Sequence, residues 1–273
     1  MMQELDLKAI ETIAIQAGAE ILDVYHANHS IEVELKADDS PITEADRRAH
    51  DSIVDGLTEL YPDIPILSEE STAIDYELRR RWSLYWLVDP LDGTKEFISR
   101  NGEFSVNIAL IKDGEPVFGV VHVPVLGITY LGQAGAGASK RLAGNDAVAI
   151  KSRQLVRPIR VVASRHHRGA EVDKLLAYIG SQHGEPEVVS MGSSLKMCLL
   201  AEGAADIYPR LGPTSEWDTG AAHAILRAAG GELVDLNFKP LRYNQKDSLL
   251  NPSFIGYGDP SFDWPSLVGK ALA

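Results

Sequence analysis

The strongest constraint on the fold of this chain is a change in its hydrophobic pattern near residue 155. Before that point, apolar residues at helical spacing predict two amphipathic helices, over 5–26 and 44–60. Alternating apolar residues then predict a hairpin-rich sheet, with strands at 84–88, 104–111, 116–123 and 128–133. The small-residue segment 132–146 is expected to form a loop. The first half is therefore expected to be a sheet that follows two helices.

Beyond residue 155, predicted strands and helices alternate. Strands are expected at 159–164, 187–190, 205–209, 231–236 and 253–257. Helices are expected at 170–181, 193–202 and 218–229, and Gly230 is expected to end the last one. This alternation indicates a second sheet flanked by helices, in a protein of the α+β or α/β class. We expect two packed subdomains, residues 1–155 and residues 156–273.

The net charge limits the partners of the chain. Of its 273 residues, 26 are Lys or Arg and 39 are Asp or Glu, which gives a formal net charge of −13. Such a surface repels nucleic acid polymers and anionic lipid head groups. A small anionic substrate is compatible with it only where a metal ion or a basic cluster reverses the local field. The sequence therefore predicts no DNA or RNA partner.

The apolar segments and the single cysteine bear on location. No apolar run is long enough to cross a bilayer, and the first residues lack the basic and apolar regions of a secretory signal. Cys198 lies in the apolar segment 195–200, where a buried core thiol is expected. One cysteine excludes an internal disulfide and a multi-cysteine zinc site. We therefore expect a cytoplasmic protein.

The segment 86–97, WLVDPLDGTKEF, places two carboxylates where an apolar strand ends. Pro90 has no N–H to donate, so the strand is expected to stop there and the chain to turn sharply. Asp89 and Asp92 can then face the same side, with the Leu91 carbonyl between them. Carboxylates and carbonyls are hard oxygen ligands of the type that Mg²⁺ prefers.

The two residues that follow, Gly93 and Thr94, suit an anion beside such a metal. Gly93 permits a backbone geometry that most residues resist, and amides that open a helix or turn bind anions. The alternative is structural, since Asp-Gly after a strand is commonly a turn and an Asp near a helix start commonly caps it. The spacing excludes an EF-hand loop and a phosphatase of the D-x-D-G-T type, because both place one residue between their acids.

Acidic residues also stand at three other boundaries of predicted elements. Glu69 and Glu70 end a short apolar run. Thr43 and Asp46 open the second helix in the pattern of a capping box. Asp218 begins the helix over 218–229. Each has an ordinary structural explanation, namely solvated turn acids, a capping box and a helix N-cap.

Taken together, the acidic motifs are more specific. They are SEES at 68–71, WLVDPLDGTKEF at 86–97 and WDTGAAHAIL at 217–226. In this order they resemble the metal-site motifs of the inositol monophosphatase-like family of Mg²⁺-dependent, lithium-sensitive phosphatases. DPLDGTKEF, with Lys95 and Glu96, is similar to its 3′(2′),5′-bisphosphate nucleotidase branch, whereas inositol monophosphatases resemble D-P-I-D-G-T-T-N-F. KADDSPITEAD, RNGEFSVNIALI and GSSLKMCLLAEGAADIYPR extend the likeness over nearly the whole chain.

The resemblance implies a fold and a metal centre. The fold would be a layered αβαβα sandwich in which two sheets pack with helices. The ligands of two or three Mg²⁺ would be Glu69, Asp89, the Leu91 carbonyl, Asp92 and Asp218. Glu69, Leu91, Asp92 and Asp218 would also bind the substrate. The Gly93 and Thr94 amides would hold the scissile phosphate. Three residues would be catalytic: Asp46, Thr94 and Glu69. Thr94 and Asp46 would form a pair that orients the attacking water and helps to deprotonate it.

The resemblance also implies substrate contacts in the second half. Ser193 and Lys196, expected at i and i+3 on one helix face, and Arg210 would contact the ribose and the phosphate that is not cleaved. His167 would lie near the nucleoside. The alternatives are a solvated face for Lys196 and Arg210 and a surface loop for His167.

The function implied is hydrolysis of the 3′-phosphate of adenosine 3′,5′-bisphosphate to AMP and phosphate, in sulfate assimilation. The sulfated relative, 3′-phosphoadenylyl sulfate, would be a further substrate. An inositol monophosphatase or sugar-bisphosphate phosphatase with the same metal site is the alternative. A non-catalytic nucleotide or metal sensor is a third hypothesis, which the paired Asp46 and Thr94 disfavour. Peripheral association with the inner membrane is left open beside the cytoplasmic location.

Overall fold

The computed structural model describes residues 5–27, 33–35, 41–71, 73–163 and 169–273. The helices are α1 (Leu7–Tyr25), α2 (Glu44–Leu60), α3 (Tyr76–Arg79), α4 (Thr94–Ile98), α5 (Ala170–His183), α6 (Leu195–Ala201), α7 (Glu216–Ala229) and α8 (Trp264–Leu272). The strands are β1 (Glu34–Leu35), β2 (Pro41–Ile42), β3 (Ile66–Ser68), β4 (Leu84–Asp92), β5 (Ser105–Lys112), β6 (Glu115–Val123), β7 (Ile128–Gln133), β8 (Gly137–Leu142), β9 (Val148–Ile150), β10 (Arg160–Ala163), β11 (Glu187–Ser190), β12 (Ile207–Arg210), β13 (Glu232–Asp235) and β14 (Phe254–Tyr257).

The larger sheet has seven strands in the order β3-β4-β5-β6-β7-β8-β9. Its neighbours are antiparallel except for β3 and β4, which run parallel. Side chains alternate across the sheet with a period of two. On β4, Trp86 and Val88 therefore pack against the outer helices α1 and α2. Tyr85 and Leu87 point to the opposite face, into the interior of the molecule.

The interior face of this sheet is covered by α6 and α7, and α7 lies very close to two of the strands. A Cβ at Gly119, on β6, would lie 2.1 Å from the carbonyl oxygen of Ala221. A Cβ at Gly132, on β7, would lie 2.5 Å from the Cα of Ile225. Neither distance leaves room for a side chain, so both strands need glycine where α7 crosses them. This contact fixes the position of the helix that carries Asp218.

The smaller sheet has five strands in the order β11-β10-β12-β14-β13. β10 lies parallel to β11 and β12, whereas β14 is antiparallel to β12 and β13. Val162 and Tyr208 face the middle helices, while Val161 and Ile207 face α5 and α8. The layers thus follow the order helix, sheet, helix, sheet, helix. The predicted αβαβα sandwich of two packed sheets is confirmed.

Most elements that were predicted from hydrophobic spacing are confirmed. The five long or middle helices α1, α2, α5, α6 and α7 begin and end within two residues of the predicted bounds. Gly230 ends α7 in the left-handed conformation, with φ of 102°. The short helices α3 and α4 and the C-terminal α8 were not predicted.

Two local predictions are wrong. The segment 132–146 is not a loop, because β8 pairs with β7 along its whole length through backbone hydrogen bonds that need no apolar side chains. Pro90 does not end its strand, because β4 continues to Asp92. The pairing of β4 with β5 becomes irregular between Asp89 and Asp92, and this irregularity accommodates the missing N–H.

Two expectations about the whole chain can be compared with the structure. Cys198 is buried and forms no disulfide, as expected of a core thiol. Within the five ranges given above, no helix combines the length and the apolar character needed to cross a membrane.

Candidate active site

Carboxylates from three parts of the chain line one cavity of about 450 Å³. Glu69 follows β3, Asp89 and Asp92 lie near the end of β4, and Asp218 lies in the first turn of α7. Leu91, whose carbonyl is the fifth predicted ligand, lines the same cavity, as do Gly93 and Thr94. The structure therefore brings together all the residues predicted to hold the cations and the scissile phosphate.

Burial makes this cluster of negative charge unfavourable without a positive partner. Asp89 is 1% exposed, and desolvation raises its pKa well above the usual range. The charges of Glu69, Asp92 and Asp218 and a hydrogen bond with Glu69 raise it further. Desolvation, followed by the charge of Asp92, raises the pKa of Asp218 to about 8. A nearby cation would favour the ionised forms of these groups.

The chemistry of the donors suits a hard divalent cation. Four carboxylates and one carbonyl present only oxygen atoms, which Mg²⁺ and Ca²⁺ prefer over the nitrogen and sulfur ligands of Zn²⁺. As the side chains stand, no three His, Cys, Asp or Glu residues in the described part of the chain converge closely enough to hold a metal ion. The fit to Mg²⁺ thus lies in the donor set and its shared cavity.

Asp46 and Thr94 are in contact at the edge of this cavity. The Thr94 hydroxyl donates a hydrogen bond to Asp46 Oδ1 at 3.3 Å and lies 3.5 Å from the Leu91 carbonyl oxygen. The other oxygen, Asp46 Oδ2, accepts from the backbone N–H and the hydroxyl of Thr43 at 2.7 and 2.6 Å. The predicted capping box is therefore present, and it leaves Oδ1 for Thr94.

Asp218 is also oriented by the start of its helix. It is the third residue of α7 rather than its N-cap, so the N-cap alternative is wrong. The backbone N–H of Ser215 donates to Asp218 Oδ2 at 2.8 Å. The Asp218 side chain thus both caps its helix and lines the cavity.

Asp92 is held by two residues that the sequence analysis missed. Its Oδ2 accepts from the N–H and the hydroxyl of Ser194 at 2.6 and 2.7 Å, and from the Asn107 amide at 3.3 Å. Asn107 and Ser194 are each 1% exposed. The available signal was the two polar side chains, Ser105 and Asn107, inside the otherwise apolar strand FSVNIALI, on β5.

A second cavity, of about 160 Å³, adjoins the first and shares Asp92, Gly93 and Asp218 with it. It contains the predicted substrate residues Ser193, Lys196 and Arg210. Lys95 and Glu96 line both cavities. The second cavity, called here the basic cavity after Lys196 and Arg210, therefore places these two cationic side chains beside the carboxylates. They supply the local positive charge that an anionic substrate requires.

Lys196 and Arg210 both retain unused hydrogen-bonding capacity. Lys196 is 8% exposed, so the alternative of a solvated face is wrong for it. Its Nζ lies 3.5 Å from the Met191 carbonyl oxygen and 5.8 Å from the centre of the Tyr208 ring, and burial lowers its pKa. Arg210 donates from Nη2 to the Pro213 carbonyl at 2.9 Å, while its buried Nε has no partner within the described residues.

The backbone around Ser193 differs from the prediction. Because α6 begins at Leu195, Ser193 precedes the helix and does not share a helix face with Lys196. Its φ is +42°, a conformation that non-glycine residues rarely adopt outside turns and functional sites. Its hydroxyl lies 3.3 Å from that of Ser105. His167 lies outside the described residues.

The chain is similar to known proteins over most of its length. The family model described as "Inositol monophosphatase family" matches residues 1–258. The 3′(2′),5′-bisphosphate nucleotidase CysQ of Escherichia coli strain K12 is 48% identical over 242 residues, which are 89% of this chain and 95% of that protein. The protein of the same name from Haemophilus influenzae is 39% identical over 262 residues, 96% of each chain.

A solved structure shows the same architecture. The crystal structure of CysQ from Bacteroides thetaiotaomicron, described as a bacterial member of the inositol monophosphatase family, superposes with a TM-score of 0.82 at 44% identity. The superposition covers 93% of this chain and 97% of that one. Both the sequence and the fold therefore show that this chain belongs to the inositol monophosphatase family.

Proposed function

We propose that the protein is a Mg²⁺-dependent phosphatase that removes the 3′-phosphate of adenosine 3′,5′-bisphosphate, giving AMP and phosphate. The observation that carries the proposal is the basic cavity with Lys196 and Arg210 beside the carboxylate cavity. A substrate with two phosphates can place one in each. Relatives named 3′(2′),5′-bisphosphate nucleotidase support a 3′(2′),5′-bisphosphate nucleotide as the substrate class. The role in sulfur metabolism is inferred from the family resemblance.

The cation site would hold two or three Mg²⁺. Its ligands would be Glu69, Asp89, the Leu91 carbonyl, Asp92 and Asp218, which share one cavity. Bound Mg²⁺ supplies the positive charge that lets a phosphate enter this acidic cavity, and it makes a water molecule more acidic. The protein contributes the fixed positions of the oxygen ligands.

Thr94 and Asp46 would control the proton of the attacking water. The Thr94 hydroxyl donates its own proton to Asp46 Oδ1, so its lone pairs are free to accept a hydrogen bond from the water. As the water oxygen bonds to phosphorus, the bond from phosphorus to the 3′ oxygen breaks. The water gives its proton to the Thr94 hydroxyl, which passes its own proton to the Asp46 carboxylate, and the leaving 3′ oxygen takes a proton from solvent. The two bonds from Thr43 keep Asp46 in place during the transfer.

Gly93 and Thr94 would also bind the phosphate through their amides. Gly93 has φ of +96° and is the N-cap of α4, so the chain turns directly into the helix at this point. Amides at such a turn point outward and favour negative charge. They would hold the phosphate in line with the water.

Lys196 and Arg210 would bind the phosphate that is not cleaved, and Ser193 would contact the ribose. Burial lowers the pKa of Lys196, and a phosphate beside it would favour the charged ammonium form. We assign His167 a contact with the nucleoside by family resemblance. 3′-Phosphoadenylyl sulfate carries the same 3′-phosphate and would also be hydrolysed.

The organisation of the chain follows from the same proposal. Residues 1–155 would form a subdomain for the cations and the scissile phosphate. Residues 156–273 would carry the substrate-selecting residues and Asp218. We propose that the enzyme acts in the cytoplasm on a small nucleotide, without a nucleic acid polymer as partner.

The test is a substrate panel. Phosphate release is measured from adenosine 3′,5′-bisphosphate, adenosine 3′-monophosphate and inositol 1-phosphate, each with Mg²⁺, with EDTA, and with Mg²⁺ plus Li⁺. We expect the highest kcat/KM for the bisphosphate, no release in EDTA and inhibition by Li⁺. A higher kcat/KM for inositol 1-phosphate would favour the alternative substrate class. Release that persists in EDTA would refute the metal-dependent mechanism.

A further inference from the structure

We propose that Ser194, supported by Asn107, is a positioning residue that sets the affinity of the site for its divalent cation. The proposal rests on the cation site of the proposed function. Neither side chain belongs to the ligand set. Both act through Asp92, which lies between the carboxylate cavity and the basic cavity.

The two oxygens of Asp92 have different surroundings. Oδ2 accepts three hydrogen bonds, from the Ser194 N–H at 2.6 Å, the Ser194 hydroxyl at 2.7 Å and the Asn107 amide at 3.3 Å. None of the described residues donates to Oδ1. The three donors therefore fix the carboxylate with one oxygen saturated by the protein and the other left for a cation in the cavity that Asp92 lines.

The Ser194 hydroxyl also reaches the start of α7. It lies 2.6 Å from the carbonyl oxygen of Asp218, and a hydroxyl has one proton for its two acceptors. It accepts a hydrogen bond from the Asn107 amide at 2.9 Å. One buried side chain thus fixes the distance between the end of β4 and the first turn of α7, which each supply a predicted ligand.

The orientation of Asn107 is itself determined. The Ser105 hydroxyl donates to Asn107 Oδ1 at 3.0 Å, so the amide nitrogen faces Ser194 and Asp92. Ser105 is fully buried, at 0% exposure. Ser105, Asn107 and Ser194 are all buried and hydrogen-bonded to one another in sequence, so this part of the network is rigid. Rigid outer partners of a metal ligand orient that ligand.

The test is the binding of Mg²⁺ alone, by isothermal titration calorimetry without nucleotide. Ser194→Ala removes the hydroxyl but keeps the backbone N–H, so we expect Mg²⁺ affinity to fall by about tenfold, within the range for outer-shell partners. Ser194→Thr restores a hydroxyl and is expected to recover most of the affinity. Asn107→Ala removes the weaker donor to Oδ2 and is expected to reduce affinity by a smaller factor.

Ser152→Ala is the matched control. The Ser152 hydroxyl donates to the Ala229 carbonyl at 3.1 Å, at the opposite end of α7. The Ser152→Ala variant therefore also loses one hydrogen bond between a serine hydroxyl and this helix. We expect its Mg²⁺ affinity to equal that of the wild type. An equal loss of affinity in Ser152→Ala and Ser194→Ala would overturn the proposal, because it would indicate a general effect on α7.

The outcomes separate this inference from the proposed function. If the wild type binds no Mg²⁺, both the proposed cation site and this inference are refuted. If the wild type binds Mg²⁺ and Ser194→Ala and Asn107→Ala bind it equally well, only the positioning role fails. If Ser194→Ala does not fold, Asn107→Ala alone decides, and unchanged affinity in that variant refutes the role.

Discussion

Replacing Gly119 with alanine tests whether the close contact between α7 and the larger sheet determines the stability of this protein. The new Cβ would lie 2.1 Å from the Ala221 carbonyl oxygen and 2.8 Å from its carbonyl carbon. Ordinary non-bonded contacts lie near 3.5 Å, so β6 and α7 must separate by more than about 1 Å. Both neighbours are backbone, which cannot rotate away as a side chain can.

The expected cost is large because the interior is close-packed. Overpacking costs about 1–3 kcal/mol, and we expect about 3 kcal/mol here since the obstacle is the helix backbone itself. For a chain of this size that corresponds to a fall in Tm of about 6–12 °C. The measurement is thermal unfolding followed by circular dichroism, together with urea unfolding to obtain the free energy.

Gly269→Ala, in α8, is the control. Nothing lies within 4 Å of a Cβ at that position, and alanine favours a helix, so stability is expected to rise by up to about 1 kcal/mol. At temperatures below its Tm, Gly119→Ala should also have a lower kcat than the wild type, since the displaced α7 carries Asp218. A Tm for Gly119→Ala within about 1 °C of the wild type would refute the packing argument.

Three further substitutions test the site and the core. Asp92→Asn removes a predicted ligand charge and should reduce phosphate release by at least about 100-fold with an unchanged Tm; retained turnover would contradict the assignment. Lys196→Met should raise KM for adenosine 3′,5′-bisphosphate by about 10–100-fold and change KM for adenosine 3′-monophosphate much less, and equal effects would argue against a second phosphate site. Burial lowers the pKa of His122 to about 4 from 6.5, so the folded state resists protonation. The stability that neutral His122 allows is complete well above pH 6.5 and is lost as pH falls through 6.5 towards 4, with a loss of about 1–2 kcal/mol at pH 5.5. His122→Gln should flatten that part of the unfolding free energy against pH, and a parallel profile would refute this.

Hydrophobic spacing predicted the elements that bury one face over many residues. α1 and α2 each extend over several turns with an apolar stripe against the sheet, so the signal repeats within the element. α3 and α4 have four and five residues, too few for a repeat. β8 contains small and charged residues and is specified by pairing with β7, which sequence spacing does not encode.

The site was predictable as far as its residues occur in ordered motifs. The acidic ligands and the Thr94–Asp46 pair were identified by resemblance, and the structure places them in or beside one cavity. The contact between Asn107 and Ser194 was not predictable in this way. The two residues are 87 positions apart and meet only because the residue that precedes α6 lies beside the first residues of β5.

The two carboxylate oxygens have different roles in each of three acids, Asp46, Asp92 and Asp218. In each, Oδ2 accepts a backbone N–H, from Thr43, Ser194 and Ser215 respectively. An asparagine would satisfy that N–H with its single oxygen and so turn its NH₂ group to the other side. At Asp92 and Asp218 the NH₂ would repel a cation, and at Asp46 it would reverse the polarity of the bond with Thr94. Asparagine, the isosteric amide, is usually regarded as a mild replacement. At these three positions it would place a hydrogen-bond donor where the acid presents an acceptor.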